Sequence, residues 1–297
     1  MKKLSILLFA TFLLFSCELY EQDEYQEYYV VESYLIADNE LPEVRLSTTS
    51  PITDKYTFKE NALSNANVEI RRLNPDSSVA ETYPYAEQDF GVYAPQLNVT
   101  VRDEQLYGLH VTTPKGDEIT ATTFVPGNFE TVNELQDQYI YQGSQQVEVI
   151  TTPSQYLSNR QTYYIFTINV VNPDTASLTP FYMDQVLNDG TNIEEFYINS
   201  SGIINEKNYQ RNENNNIELT VPWLAIAFYD TNDVIANAID NNMYDFLRSQ
   251  DVQTGGSTLS PGEIQNIHYN INGGIGIFGS MASDTNRVFI ARPNSSN

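Results

Sequence analysis

The chain reads as a mainly β protein: an antiparallel sandwich first, then a second antiparallel, β-rich domain with one main helix. Three observations carry that expectation. Short segments alternate apolar and polar residues at the period of a half-buried strand. Turn-forming clusters separate them at close spacing. Only one stretch keeps helical spacing over several turns. The composition agrees: 41% of the 297 residues are hydrophobic and 12% aromatic, enough to fill a core, and the 21 tyrosines suit half-buried strands.

In order, YYVVESYLI (28–36) is β-branched and aromatic. In EVRLST (43–48), Val44 and Leu46 share one face and Arg45 and Ser47 the other, while NVEIRRL (67–73) turns Val68 and Ile70 inward. GVY (91–93), LYGLHVTT (106–113) and EITATTFV (118–125) complete the first set, with NPDSS, EQDFG and TPKGDE as turns. This order resembles the immunoglobulin-like and carboxypeptidase-regulatory-like modules of bacterial surface proteins, which are scaffolds. Pro126-Gly127 marks the expected boundary between a domain at 28–126 and one at 127–297.

In the second half, QQVEVITT (145–152) and TYYIFTINVV (162–171) are strand-like, the latter with Tyr164, Phe166, Ile168 and Val170 on one face. The polar inserts VNPDTASLTP and YQRNENNN are expected loops. IELTVPWLAIAFYD (217–230) reads as one strand with a bulge or edge at Pro222. The helix is expected over 233–249, capped by Asp230, Asn232 or Asp233, with Ile235, Ile239, Met243 and Phe246 or Leu247 on one face. INGGIGIFGSMA and RVFIAR read as two closing strands.

The front end gives an address. Lys2 and Lys3 precede the uncharged LSILLFATFLLF (4–15), the layout of a secretory signal. The run is short of the roughly 20 apolar residues that a bilayer-spanning helix needs. Leu14-Phe15-Ser16-Cys17 resembles a bacterial lipobox, with Phe15 where a smaller residue is usual. The resemblance implies a signal peptide at 1–16, cleavage before Cys17, and acylation of the sulfur and new amino group of this single cysteine. One palmitate-type chain anchors marginally, whereas two or more hold stably. Glu18, Glu21, Asp23, Glu24 and Glu27 make 17–27 an acidic tether. It is similar to the export signal that follows the cysteine in surface lipoproteins of the Bacteroidetes. The expected location is the outer membrane, lipid-anchored and facing outward.

The formal net charge of −24 repels phosphate backbones, so no nucleic-acid partner is expected. Histidine occurs only at His110 and His268. With Cys17 acylated no His/Cys zinc set forms, and no G-x-S-x-G supports a histidine triad. Among 39 acids no spacing singles out a pair for glycoside hydrolysis. NDGTN (188–192) and DTND (230–233) lack the EF-hand pattern and read as a turn and a helix cap. In GGIGIFGS (273–280), Ile275, Ile277 and Phe278 interleave with the glycines and no lysine follows. That is a strand under close backbone approach rather than a phosphate loop. The chain is therefore expected to be no enzyme, with no catalytic residue, metal or cofactor. Cys17 is the lipidation site. Ligand contacts are unassigned and sought among exposed tyrosines, Trp223 and the 172–216 loops.

Five segments in order carry a wider resemblance: Val30-Val31-Glu32-Ser33-Tyr34-Leu35; Val44 through Pro51; Ala66-Asn67-Val68; Tyr244-Asp245-Phe246; and Asn270 through Gly279. Following a lipobox, they resemble an uncharacterised family of Bacteroidetes outer-membrane lipoproteins (domain of unknown function 4249), often encoded beside TonB-dependent receptors. The family brings no established catalytic residues. The resemblance implies an accessory or ligand-binding partner of a receptor barrel that imports a nutrient. The alternatives are a surface hydrolase of glycans or peptides, which needs converging carboxylates or a histidine dyad, and a passive adhesin with exposed aromatic patches.

Overall fold

A computed structural model describes residues 25–155, 161–209, 211–253 and 266–293. The expected signal, Cys17 and most of the tether lie outside the described residues. The protein is mainly β. The first half holds β1 (Tyr29–Ile36), β2 (Val44–Thr48), β3 (Asn67–Leu73), β4 (Val79–Asp89), β5 (Val92–Pro95), β6 (Leu106–Thr112) and β7 (Glu118–Phe124). The second holds β8 (Gln138–Ile140), β9 (Glu148–Thr151), β10 (Tyr163–Val170), β11 (Ile198–Ser200), β12 (Ile204–Asn205), β13 (Ile217–Thr220), β14 (Asp230–Ile239) and β15 (Ile275–Ala291), with helices α1 (Pro180–Asp184) and α2 (Asn241–Gln253).

Among the described residues, one sheet runs in the order β11-β10-β14-β15-β1-β2-β5-β4-β3-β6-β7, and β9 and β13 form a separate pair. The alternating faces read from the sequence point as expected: Val44, Leu46, Val68 and Ile70 are buried in one apolar cluster, which Val31, Leu35, Leu109 and Ile119 join. The long β4 was absent from the sequence expectations. Its Val79–Pro84 stretch pairs with β3 and its Tyr85–Asp89 stretch with β5, so it passes from one set of partners to the next. Pro84, which has no N–H to donate, sits at the crossing. Only Tyr83 and Tyr85 of this strand are buried, which is why its sequence looks like loop.

β15 joins the halves. Its first residues pair in parallel with β1, from Val30 opposite Ile275 to Ile36 opposite Met281. From Met281 to Ile290 it pairs antiparallel with β14, and its end pairs in parallel with β8. The expected antiparallel order therefore holds except where β1 and β8 meet β15. The expected division at 126/127 falls between β7 and β8, and β15 carries hydrogen bonds across it.

Three local expectations are corrected. The helix begins at Asn241, not 233, and Ile235 and Ile239 belong to β14. A spacing of four satisfies a strand as well as a helix, and the buried alternation of Val234, Ala236 and Ala238 decides for the strand. Asp230, Asn232 and Asp233 therefore cap nothing, and Asp233 instead pairs with Arg287. IELTVPWLAIAFYD is not one strand, because Pro222 ends β13 and opens a 3-10 turn at Trp223–Ala225. The two closing strands are one strand of 17 residues.

The glycines of GGIGIFGS act as the sequence suggests. Gly276 has φ +108°, and a Cβ there would overlap the Val31 carbonyl oxygen across the parallel pair. A Cβ on Gly279 would run into the Met243 side chain of α2. Gly116 shares a positive φ, +88°, but faces open space, so it isolates the backbone term. Gly116→Ala is expected to cost about 1–2 kcal/mol from left-handed strain. Gly276→Ala is expected to cost about 2–5 kcal/mol, because overpacking adds about 1–3. Urea denaturation of the two variants checks this; equal losses would contradict the tight β1–β15 approach.

Candidate ligand-binding site

A large, mainly apolar recess lies between the main sheet and the β9–β13 pair. It has a volume of about 640 Å³, within the roughly 300–1,000 Å³ of small-molecule sites. Phe166 and Ile168 on β10 and Val234 on β14 form its floor, since alternation on each strand turns these side chains to the same face. Leu219, Thr220, Val221 and Pro222 make one wall. Asn199, Ser200, Ser201, Ile204 and Tyr209 make the other, and Leu224 stands exposed at the lip.

Hydrogen bonds fix the mouth. The Tyr182 hydroxyl, brought by α1, donates to the Leu224 carbonyl at 2.7 Å. Asn199 Nδ2 donates to the Tyr182 oxygen and to the Ala225 carbonyl, both at 3.0 Å. Ser201 Oγ accepts from the Phe166 amide at 2.9 Å and donates to the Gly202 carbonyl at 2.9 Å. The Tyr209 ring meets Phe166 edge-on, with centroids 5.7 Å apart. Burial pushes the Tyr209 phenol up to about 12 and raises that of Tyr182, so both stay protonated at neutral pH. Among the described residues that line the recess, none is acidic, basic or an imidazole.

The 172–216 segment thus supplies one wall, but largely from α1, β11 and β12 rather than from loops. Trp223 does not take part: its ring packs edge-on against Tyr141, with centroids 5.5 Å apart, in a neighbouring apolar cluster. The exposed Tyr25 and Tyr28 sit where the tether meets the body, with the Tyr25 hydroxyl and Tyr28 amide on Thr49 Oγ1 at 2.7 and 3.0 Å. No contact joins the histidines. His110 Nε2 lies 2.7 Å from Glu118 Oε2, and the His268 amide donates to Ser249 Oγ at 2.9 Å. Asn192 of NDGTN caps a 3-10 turn by accepting from the Glu194 amide. Among the described residues, no group of three His, Cys, Asp or Glu side chains is placed to hold a metal.

One buried carboxylate is perturbed in a way that often marks active sites. Asp240 is 1% exposed between β14 and α2. Its Oδ1 accepts from the Met243 amide at 2.9 Å, capping α2. Its Oδ2 accepts from Thr123 Oγ1 at 2.7 Å, and its own amide donates to the Ser280 carbonyl at 2.9 Å. Both oxygens are engaged and the side chain is buried, so this is a joint among β7, β15 and α2.

Residues 15–287 match the family model described as "Domain of unknown function (DUF4249)". The chain belongs to this family. Two of the segments that carried the resemblance, Val30–Leu35 and Asn270–Gly279, meet in the parallel β1–β15 pairing. No curated protein matches the chain. Among solved structures it is similar to trypsin-activated α-2-macroglobulin from Escherichia coli (10% identity, 73% of this chain and 14% of that one, TM-score 0.22). It is also similar to Salmonella α-2-macroglobulin reacted with methylamine (12% identity, 89% and 15%, TM-score 0.25). A third likeness is to three N-terminal domains of the bacteriophage RB49 outer capsid protein Hoc (6% identity, 90% and 71%, TM-score 0.24). The chain spans about one seventh of the length of these two macroglobulins, and TM-scores this low do not amount to a shared fold.

Burial pushes the Asp240 carboxyl up to about 6, from an ordinary 3.8. Between those values the folded chain holds a proton that the unfolded chain has released. The contribution therefore favours folding below about pH 4 and is lost as pH rises through about 6, on the order of 2–3 kcal/mol. Asp240→Asn keeps an acceptor for the Met243 amide and does not titrate. Measured by urea unfolding, its stability relative to the parent should rise by about that amount from pH 4 to pH 7. A difference independent of pH would contradict the assignment.

Proposed function

We propose that this protein is a lipid-anchored protein of the outer membrane, displayed outward, that holds a small ligand as the accessory of a TonB-dependent nutrient receptor. The observation that carries the ligand-binding reading is the apolar recess of about 640 Å³ floored by Phe166, Ile168 and Val234. The anchoring part rests on Leu14-Phe15-Ser16-Cys17 and the acidic tether. The receptor part rests on the resemblance to lipoproteins encoded beside such receptors.

The shape of the chain supports the combination. The tether joins the body at the start of β1, beside the end of β2. β15 starts opposite Val30 at that same end and finishes beside β14 and β8, in the half that contains the recess. Its 17 residues at about 3.3 Å each give a contour length of at most roughly 55 Å. An anchor at one end of this strand leaves the recess at the other, where a partner reaches it without crowding by the bilayer.

Gentle detergent extraction of the tagged full chain from its own outer membrane, followed by mass spectrometry, tests the reading. A doubly or triply acylated Cys17 peptide and a stoichiometric TonB-dependent barrel are expected. An unacylated chain would overturn the anchor, and an acylated but solitary chain would overturn the receptor partnership.

A further inference from the structure

We infer that the recess takes a small, uncharged, largely apolar ligand bearing one polar atom that meets the Tyr209 hydroxyl. This rests on the recess being the ligand site. The chain carries 39 acids, yet none lines this surface, and neither does a lysine, arginine or histidine among the described residues. A charged ligand placed there would be stripped of water with no counter-charge to replace it.

The polar atoms present narrow the ligand further. Asn199 spends its amide protons on Tyr182 and Ala225, and Ser201 Oγ both donates and accepts within the protein. The Tyr209 hydroxyl, like Asn199 Oδ1 and Thr220 Oγ1, makes no hydrogen bond with any described residue, and of the three it alone is carried on a ring half-buried against Phe166. A phenol in that position prefers a partner, because an apolar wall cannot replace its hydration. The ligand's polar atom supplies one, and the flat Phe166 and Tyr209 rings suit an aromatic or alicyclic body.

Two probes with the same aromatic skeleton separate charge from shape: uncharged N-phenyl-1-naphthylamine, and 8-anilino-1-naphthalenesulfonate, which adds a sulfonate. They are titrated at pH 7 into the chain from Glu18 onward, which keeps all three buried apolar clusters. The uncharged probe should bind saturably and about ten-fold or more tighter than the sulfonate. Ile204→Trp, which narrows the recess, should weaken it by about ten-fold or more, and Tyr209→Phe by several-fold. Unchanged far-ultraviolet circular dichroism confirms that each variant folds. Sulfonate binding as tight as the neutral probe and abolished by Ile204→Trp overturns the ligand class and leaves the ligand site standing. Saturable binding of neither probe, or binding indifferent to Ile204→Trp, overturns the site and the ligand-binding reading with it.

Discussion

The constraint on which the rest depends is that β15 must lie against β1 in parallel register. A parallel neighbour cannot come from a hairpin, so the parallel partner of each β1 residue lies 245 residues further along the chain. The contact is made possible by Gly276, whose backbone takes a φ that L-residues avoid and whose missing Cβ makes room for the Val31 carbonyl. Once seated, β15 offers its second stretch to β14, and β14 in turn holds β10. Every strand of the second half that belongs to the main sheet is reached through it.

Around this strand the side chains lock the arrangement. α2 sets Met243, Phe246 and Leu247 beside Tyr34 of β1 and Ile277 and Met281 of β15. Tyr163 of β10 stacks on Tyr244 of α2 with centroids 3.7 Å apart. Asp240 binds Thr123 of β7, Ser280 of β15 and the first turn of α2 in one buried network, so three elements from both halves share a single joint. The recess is a by-product of the same geometry. β10 and β14 present an apolar face to the short β9–β13 pair, and that pair is too narrow to cover it.

Much of this was legible in the residues. Strands that alternate cleanly, such as 43–48, 67–73 and 162–171, announced both their position and their buried face. The glycine pattern at 273–280 announced a crowded strand. What failed did so for identifiable reasons. β4 buries only two tyrosines and carries a proline, so it has no apolar stripe. Ile235 and Ile239 of β14 and Met243 of α2 repeat at an interval that both periods share, and the cap at Asp240 stood inside the expected helix. The recess was only partly legible: the 172–216 loops were named, whereas Phe166, Leu219 and Val234 come from segments that meet only through sheet pairing. That the Tyr209 hydroxyl meets no partner among the described residues leaves no trace in the sequence at all.

If β15 truly fuses the halves, they must open together. Native-state hydrogen exchange followed by mass spectrometry at increasing urea reads this directly. Amides of β1, β14 and β15 should exchange with one common free energy and one common denaturant slope, equal to those of global unfolding. Exchange of β10 and β14 at a distinctly lower free energy, with β1 still protected, would contradict that fusion and make the two halves independent units.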